Sequence, residues 1–176
     1  VVEGLRTPEF EAQETRLTLG GLAQNIDSPF ERRLTYTIQG VLEGITPASP
    51  EVGEALGERI TLDIDGEWNA GEPLLIDEAR LSARALEILV TGAVEGFDFL
   101  GEIGVQTANI APFSALAGRE LGGALDLRAS GEIWPLTGGF RLLLDGTIQE
   151  LRIDNPAVDN LMGGETRITG ALGRTE

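Results

Sequence analysis

Residues 109–134 read NIAPFSALAGRELGGALDLRASGEIW, and the fold is decided by how that stretch changes period. Pro112 has a fixed φ and no N–H to leave unsatisfied, which suits the first turn of a helix. Gly118 can take the left-handed conformation that ends one. About two turns of helix fit between them. After Gly118 the period becomes two: Leu121, Gly123, Leu125, Leu127 and Ala129 alternate with small or polar residues such as Asp126 and Arg128, the pattern of a half-buried strand. Gly131 reads as the end of that strand.

The same unit occurs twice more. Ser49 and Pro50 open SPEVGEALG, Gly57 closes it, and Ile60, Leu62 and Ile64 alternate with Thr61, Asp63 and Asp65 up to Gly66. Asn155 and Pro156 open NPAVDNLMGG, closed by Gly163, and Arg167, Ile168 and Thr169 run on to Gly170. Two copies carry a good N-cap residue before the proline, whereas the central copy carries Ala111, a poor one. A degenerate repeat of this kind predicts stacked supersecondary units. The chain reads as one β-rich segment, 1–176, of a longer repeat-like protein, with sub-units at 1–48, 49–108, 109–154 and 155–176.

Composition narrows the class. Twenty-four glycines among 176 residues are about twice the average usage, which fits many strand ends. All 13 basic residues are arginine and 29 acids bring the net charge to -16, which argues against nucleic acid or an anionic membrane surface as an electrostatic partner. No cysteine is present, so neither a disulfide framework nor a thiolate metal site is available. No apolar run approaches the roughly 18 residues of a membrane span, and no basic leader opens the chain. The sequence starts and stops mid-pattern, as an excised internal segment would.

Elsewhere the chain is read as strands and turns. Residues 1–22 predict one or two strands ending at Gly20 and Gly21, and residues 25–33 a turn. Leu34, Tyr36 and Ile38 alternate with Thr35, Thr37 and Gln39 until Gly40. Residues 74–83 and 86–95 predict successive strands, the second with Leu86, Ile88, Val90, Gly92 and Val94 at period two. Residues 96–104, GFDFLGEIG, predict either a strand or a tight turn with an aromatic plug. Leu142 and Leu144 form one run, and Gly146 starts another. The count is about ten to twelve short strands with three short helices, so the fold class is mainly β.

The chemistry available is thin. Without His or Cys the common catalytic triads are excluded and only carboxylates remain. Asp63 and Asp65 share a strand face, where paired carboxylates serve a glycosidase or bind calcium, but the same face is the solvated side opposite Ile60, Leu62 and Ile64. DIDG at 63–66 opens like a calcium loop, yet the twelfth position is Leu74, where a bidentate Glu is required. No enzyme activity, cofactor or metal is expected. Trp68 and Trp134 fall in comparable places after the glycines of their units, read as caps on the hydrophobic layer. The apolar faces are the remaining functional feature. Closed on itself, the sheet buries them as a core, the default by composition; curved only into a trough, it leaves a groove able to hold acyl chains.

Two blocks carry a family likeness: ANIAPFSALAGRELGGALDLRASGEI at 108–133 and LLLDGTIQELRIDNPAVDNLMGGETRITG at 142–170. Their order of short helix, L-x-G and strand, followed by a D-x-L-x-G-G block, resembles the TamB family, the inner-membrane-anchored subunit of the translocation and assembly module in the AsmA-like group. The first hundred residues share only the rhythm of short strands ending in glycine. The resemblance implies an elongated, curved, taco-like sheet with an apolar concave face, in a protein of the Gram-negative periplasm anchored in the inner membrane. It also implies a TamA-like outer-membrane partner, bound through regions outside this segment, and roles in outer-membrane protein assembly and phospholipid movement.

The expected function is therefore non-enzymatic shielding of phospholipid acyl chains in a β-groove. The expected lining is Leu17, Leu19, Leu34, Tyr36, Ile38, Ile60, Leu62, Ile64, Ile88, Val90, Leu125, Leu127, Leu142 and Leu144. The alternative is a scaffold or chaperone with a closed core whose edges bind outer-membrane protein strands. Edge strands left bare by excision would also allow a dimer without biological meaning.

Overall fold

The computed structural model describes residues 2–6, 10–47, 50–114, 118–155, 159–160 and 163–174. These form one antiparallel sheet whose spatial order is its order in the chain. The strands are β1 (Val2–Arg6), β2 (Phe10–Gln24), β3 (Arg33–Pro47), β4 (Arg59–Asn69), β5 (Leu74–Ser82), β6 (Glu87–Glu95), β7 (Asp98–Thr107), β8 (Gly122–Trp134), β9 (Gly139–Arg152) and β10 (Glu165–Arg174). The sheet is open, with β1 and β10 at its two edges.

The strands are not the ten to twelve short ones expected. Nine run for 9 to 15 residues, and only β1, with 5, is short. The glycines read as stops explain the difference: Gly20, Gly21, Gly40, Gly66, Gly131, Gly146 and Gly170 all lie inside strands. Glycine weakens a strand without ending it, because its N–H and C=O remain in the ladder.

Helix is scarce among the described residues. One α-helix, α1 (Pro50–Leu56), ends as its sequence predicts: Gly57 has φ +70° and donates its N–H to the Gly53 carbonyl at 2.9 Å. In the central copy the described residues show a 3-10 turn, Ala111–Phe113, and residues 115–117 of the expected helix lie outside them. Ala111 is not left uncapped, since the Asn109 Oδ1 accepts its N–H at 3.0 Å. The third predicted helix falls largely outside the described residues.

The α1 and Ala111–Phe113 connections and the tight turn between β5 and β6 sit at one end of the sheet, and four turns sit at the other. At the helical end the Arg84 and Ala85 N–H groups donate to the carbonyls of Leu56 and Ala55 at 3.2 and 3.0 Å. The β5–β6 turn thereby satisfies acceptors that every helix C-terminus leaves open. A small core forms there from Ala12, Ile45 and Ile60, with Leu42, Leu56, Leu81 and Ala83 packed against it.

Beyond that patch, the sheet has no second layer among the described residues. A compact chain of 18.7 kDa would expose about 8,300 Å², and this one exposes 11327 Å². Among the described residues the buried hydrophobic ones are Ala12, Ile45, Ala55, Ile60 and Ile110. Composition favoured a closed core; the sheet stays open, because each strand pairs only with its neighbours in sequence and β10 does not return to β1.

Candidate functional site: the apolar face of the sheet

Directly paired residues in an antiparallel ladder point to the same face, so the registers assign every strand position to a side. One row runs Leu19, Ile38, Ile64, Ala79, Val90, Ile103, Ala129, Leu144, Gly170 from β2 to β10. The next, two residues along each strand, runs Leu17, Gly40, Leu62, Leu81, Ile88, Val105, Leu127, Gly146, Ile168. Towards the helical end Leu42, Ile60, Leu125 and Ile148 continue the face, accompanied by Thr15, Thr107 and Thr166. Towards the turn end it reaches Leu34, Trp68, Leu74, Val94, Phe99, Ile133 and Phe140.

All fourteen lining residues expected from sequence fall on this one face: Leu17, Leu19, Leu34, Tyr36, Ile38, Ile60, Leu62, Ile64, Ile88, Val90, Leu125, Leu127, Leu142 and Leu144. In these rows the sole ionisable cation is Arg174, at the corner where β10 meets Phe140. The opposite face is charged. One of its rows runs Thr18, Gln39, Asp63, Arg80, Leu89, Gly104, Arg128, Asp145, Thr169. Arg80 bridges Glu78 and Glu87 at 3.1 and 2.8 Å, and Arg167 reaches Asp145 at 2.6 Å. Asp63 and Asp65 stand on this charged side, away from the apolar rows.

Between the apolar rows and the turn end lies a row dominated by glycine: Gly21, Tyr36, Gly66, Ile76, Gly92, Gly101, Gly131, Leu142, Leu172. Gly92 and Gly131 have φ of +155° and +146°, which side-chain-bearing residues rarely adopt. Register shifts at Asp65/Gly66 and between Ile76 and Ala79 fall on the same line. Glycine kinks and bulges are the devices that bend and coil strands. Here they are aligned across neighbouring strands.

Aromatic rings fill the space the glycines leave. The Tyr36 ring lies over Gly66, with Cζ 2.6 Å from where a Cβ would stand, and its hydroxyl donates to the Leu75 carbonyl at 2.8 Å. Burial pushes the Tyr36 phenol above its ordinary value, and the neighbouring Asp77 carboxylate adds to the effect. Phe99 covers Gly92 and Gly101 in the same way, at 3.0 and 2.7 Å from the corresponding Cβ positions.

The tryptophans are not equivalent, contrary to their place in the repeat. Trp68 pairs with Leu34 on the apolar face. Trp134 is one residue out of phase, next to inward Ile133, and on the charged side its ring lies 5.8 Å from the Arg141 guanidinium. Others on the apolar face were absent from the expected lining, among them Ala79, Leu81, Ile103, Val105, Ile133, Phe140, Ile148 and Ile168. For β7 the signal was present, since Phe99, Gly101, Ile103 and Val105 keep a strict period of two. For β5 it was hidden, because the bulge at Asp77 changes which parity faces inward.

Among the described residues no cluster of acidic side chains forms a metal site, and no helix is long and apolar enough to cross a membrane. No family model, curated protein or solved structure matches this chain.

Proposed function

We propose that this chain is a non-enzymatic segment of a TamB-like periplasmic protein whose apolar sheet face shields phospholipid acyl chains on their way between the two membranes of a Gram-negative cell. What carries the reading is an apolar face nine strands wide, charged at one corner only and without a second layer among the described residues. At about 4.8 Å per strand and 3.4 Å per residue, rows of nine strands by nine residues cover about 38 by 27 Å, more than the apolar patches monomers ordinarily expose. The line of glycines and bulges would fold this face into a trough, giving the taco-like shape with the apolar rows on the concave side.

The chemistry follows from the surface. Each methylene moved from water onto the face gains about 0.8 kcal/mol at full burial, while head groups stay in water along the open mouth. The acidic exterior keeps such a sheet soluble without attracting anionic lipid surfaces. Membrane anchoring and contact with a TamA-like outer-membrane partner belong, in this reading, to other parts of the protein.

The test is native mass spectrometry of the purified chain together with phospholipid extraction. Wild type is expected to carry phospholipid, Leu62→Asp to lose it, and Leu143→Asp to retain it, because Leu143 is 63 % exposed on the charged face. Circular dichroism establishes that both variants fold. A lipid-free wild type, or equal retention by both folded variants, overturns the reading.

A further inference from the structure

At the helical end α1 meets two connections that follow it far along the sequence. It joins β3 to β4, whereas the Ala83–Leu86 turn joins β5 to β6 and the Ala111–Phe113 turn lies between β7 and β8. On the sheet the first and last of these stand four strand spacings apart, about 19 Å, yet α1 touches the Ala111–Phe113 turn. The two reach towards each other across the ends of the strands between them, with the β5–β6 turn, hydrogen-bonded to α1, midway.

This bridge lies over the apolar side. Leu56 of α1 packs on Ala12, Ile45 and Ile60, in one cluster with Leu42 and Leu81, and Ile60, Leu42 and Leu81 belong to the apolar face. Ile60 is buried there, while Leu62 and Ile64 further along β4 are only half-buried. Beyond the β5–β6 turn, Ile110 and Pro112 are buried as well.

The bridge is lightly fastened. α1 has seven residues, too few for a helix to persist undocked. Leu56 and the two backbone hydrogen bonds from Arg84 and Ala85 dock it, and among the described residues no ion pair secures it. A segment held in this way opens at a fraction of the free energy of global unfolding. We propose that α1 is a lid on the helical end of the apolar face, displaced by acyl chains that take the place of Leu56. This rests on the reading of that face as the acyl-binding surface. Closed, the lid keeps Ile60 out of water while the face is empty; opened, it lengthens the available face by one row, about 7 Å.

The test is amide hydrogen exchange of the intact chain, with and without a short-chain phosphatidylcholine below its micelle concentration, alongside native mass spectrometry of the same samples. Without lipid, the Arg84 and Ala85 amides, whose acceptors lie in α1, are expected to exchange at least tenfold faster than the paired amides in the middle of β3, after correction for intrinsic rates. Bound lipid is expected to speed them a further threefold or more. Leu56→Ala should speed them at least tenfold and raise the amount of lipid bound, because the competing side chain is gone; Leu143→Ala, on the charged face, should change neither. Exchange at residues 84 and 85 no faster than in β3 overturns the lid whether or not lipid binds. So does bound lipid that leaves those amides unchanged or protects them, or a Leu56→Ala chain that is folded and binds less lipid. Open amides with no lipid on either protein overturn the acyl-binding reading and displacement with it, a failure that the lipid-free exchange separates from failure of the lid.

Discussion

Replacing Gly131 with alanine tests whether the glycine line is built into the fold or is incidental. At φ +146° the backbone of Gly131 is in a region open to glycine and strained for alanine. The added Cβ would fall inside contact distance of the Arg141 carbonyl oxygen, 3.1 Å from its carbon and 3.2 Å from the Leu142 Cα. A side chain held at such a φ costs about 1–3 kcal/mol, and a β8–β9 hydrogen bond weakened by backbone retreat costs about 1 kcal/mol more. The expected loss is about 3 kcal/mol. With a urea m-value of about 2 kcal/mol/M, the unfolding midpoint falls by about 1.5 M. Gly170→Ala is the matched control: it lies on the same face, and nothing stands within 4 Å of its Cβ position. Alanine there is expected to be neutral or to stabilise by up to about 1 kcal/mol. Equal midpoints for the two variants would refute the argument that the row holds a bend only glycine permits.

Three further outcomes follow from individual contacts. Asn109→Ala removes the acceptor for the Ala111 N–H and should cost about 1 kcal/mol in urea unfolding, whereas Asn109→Asp should retain most of it. The Tyr36 phenol, raised above 10.0 by burial, favours its neutral form in the folded chain. That stabilisation is fully present below the unfolded value and is lost as pH rises through the higher folded value, so wild-type stability should decline above about pH 10. Tyr36→Phe should lose about 1 kcal/mol at pH 7 with the Leu75 hydrogen bond and flatten that decline. Arg167→Gln breaks the exposed pair with Asp145; the unfolding midpoint should not move at moderate salt, because water already screens both charges.

The stretch 109–134 shows how far local reading carried. Its strand, its inward leucines and the left-handed Gly118, at φ +64°, were legible because period and backbone preference are local properties. Its end was not: Gly131 reads as punctuation, and a glycine that stops a strand has the same letter as one that kinks it in mid-course. The distinction depends on whether β7 and β9 continue alongside, which pairing across dozens of residues decides. Asn109 acts as the cap in place of Ala111 for a related reason, since the loop geometry sets which oxygen reaches the free N–H. Trp134 was misplaced because the repeat suggested equivalence with Trp68, while the β8 register puts it one residue out of phase.

By itself, the sequence determined that the chain is mainly β, that its strands are amphipathic, and that fourteen named side chains share a face, because alternation along a strand fixes the side of every residue relative to its neighbours. It also determined where α1 starts and stops, through Pro50 and Gly57. Tertiary structure alone decided whether that face is covered. Burial beneath a second sheet and exposure on an open one require the same alternation, and the choice depends on whether β10 finds β1. Among the described residues it does not, and so the apolar rows and the glycine line remain on the surface.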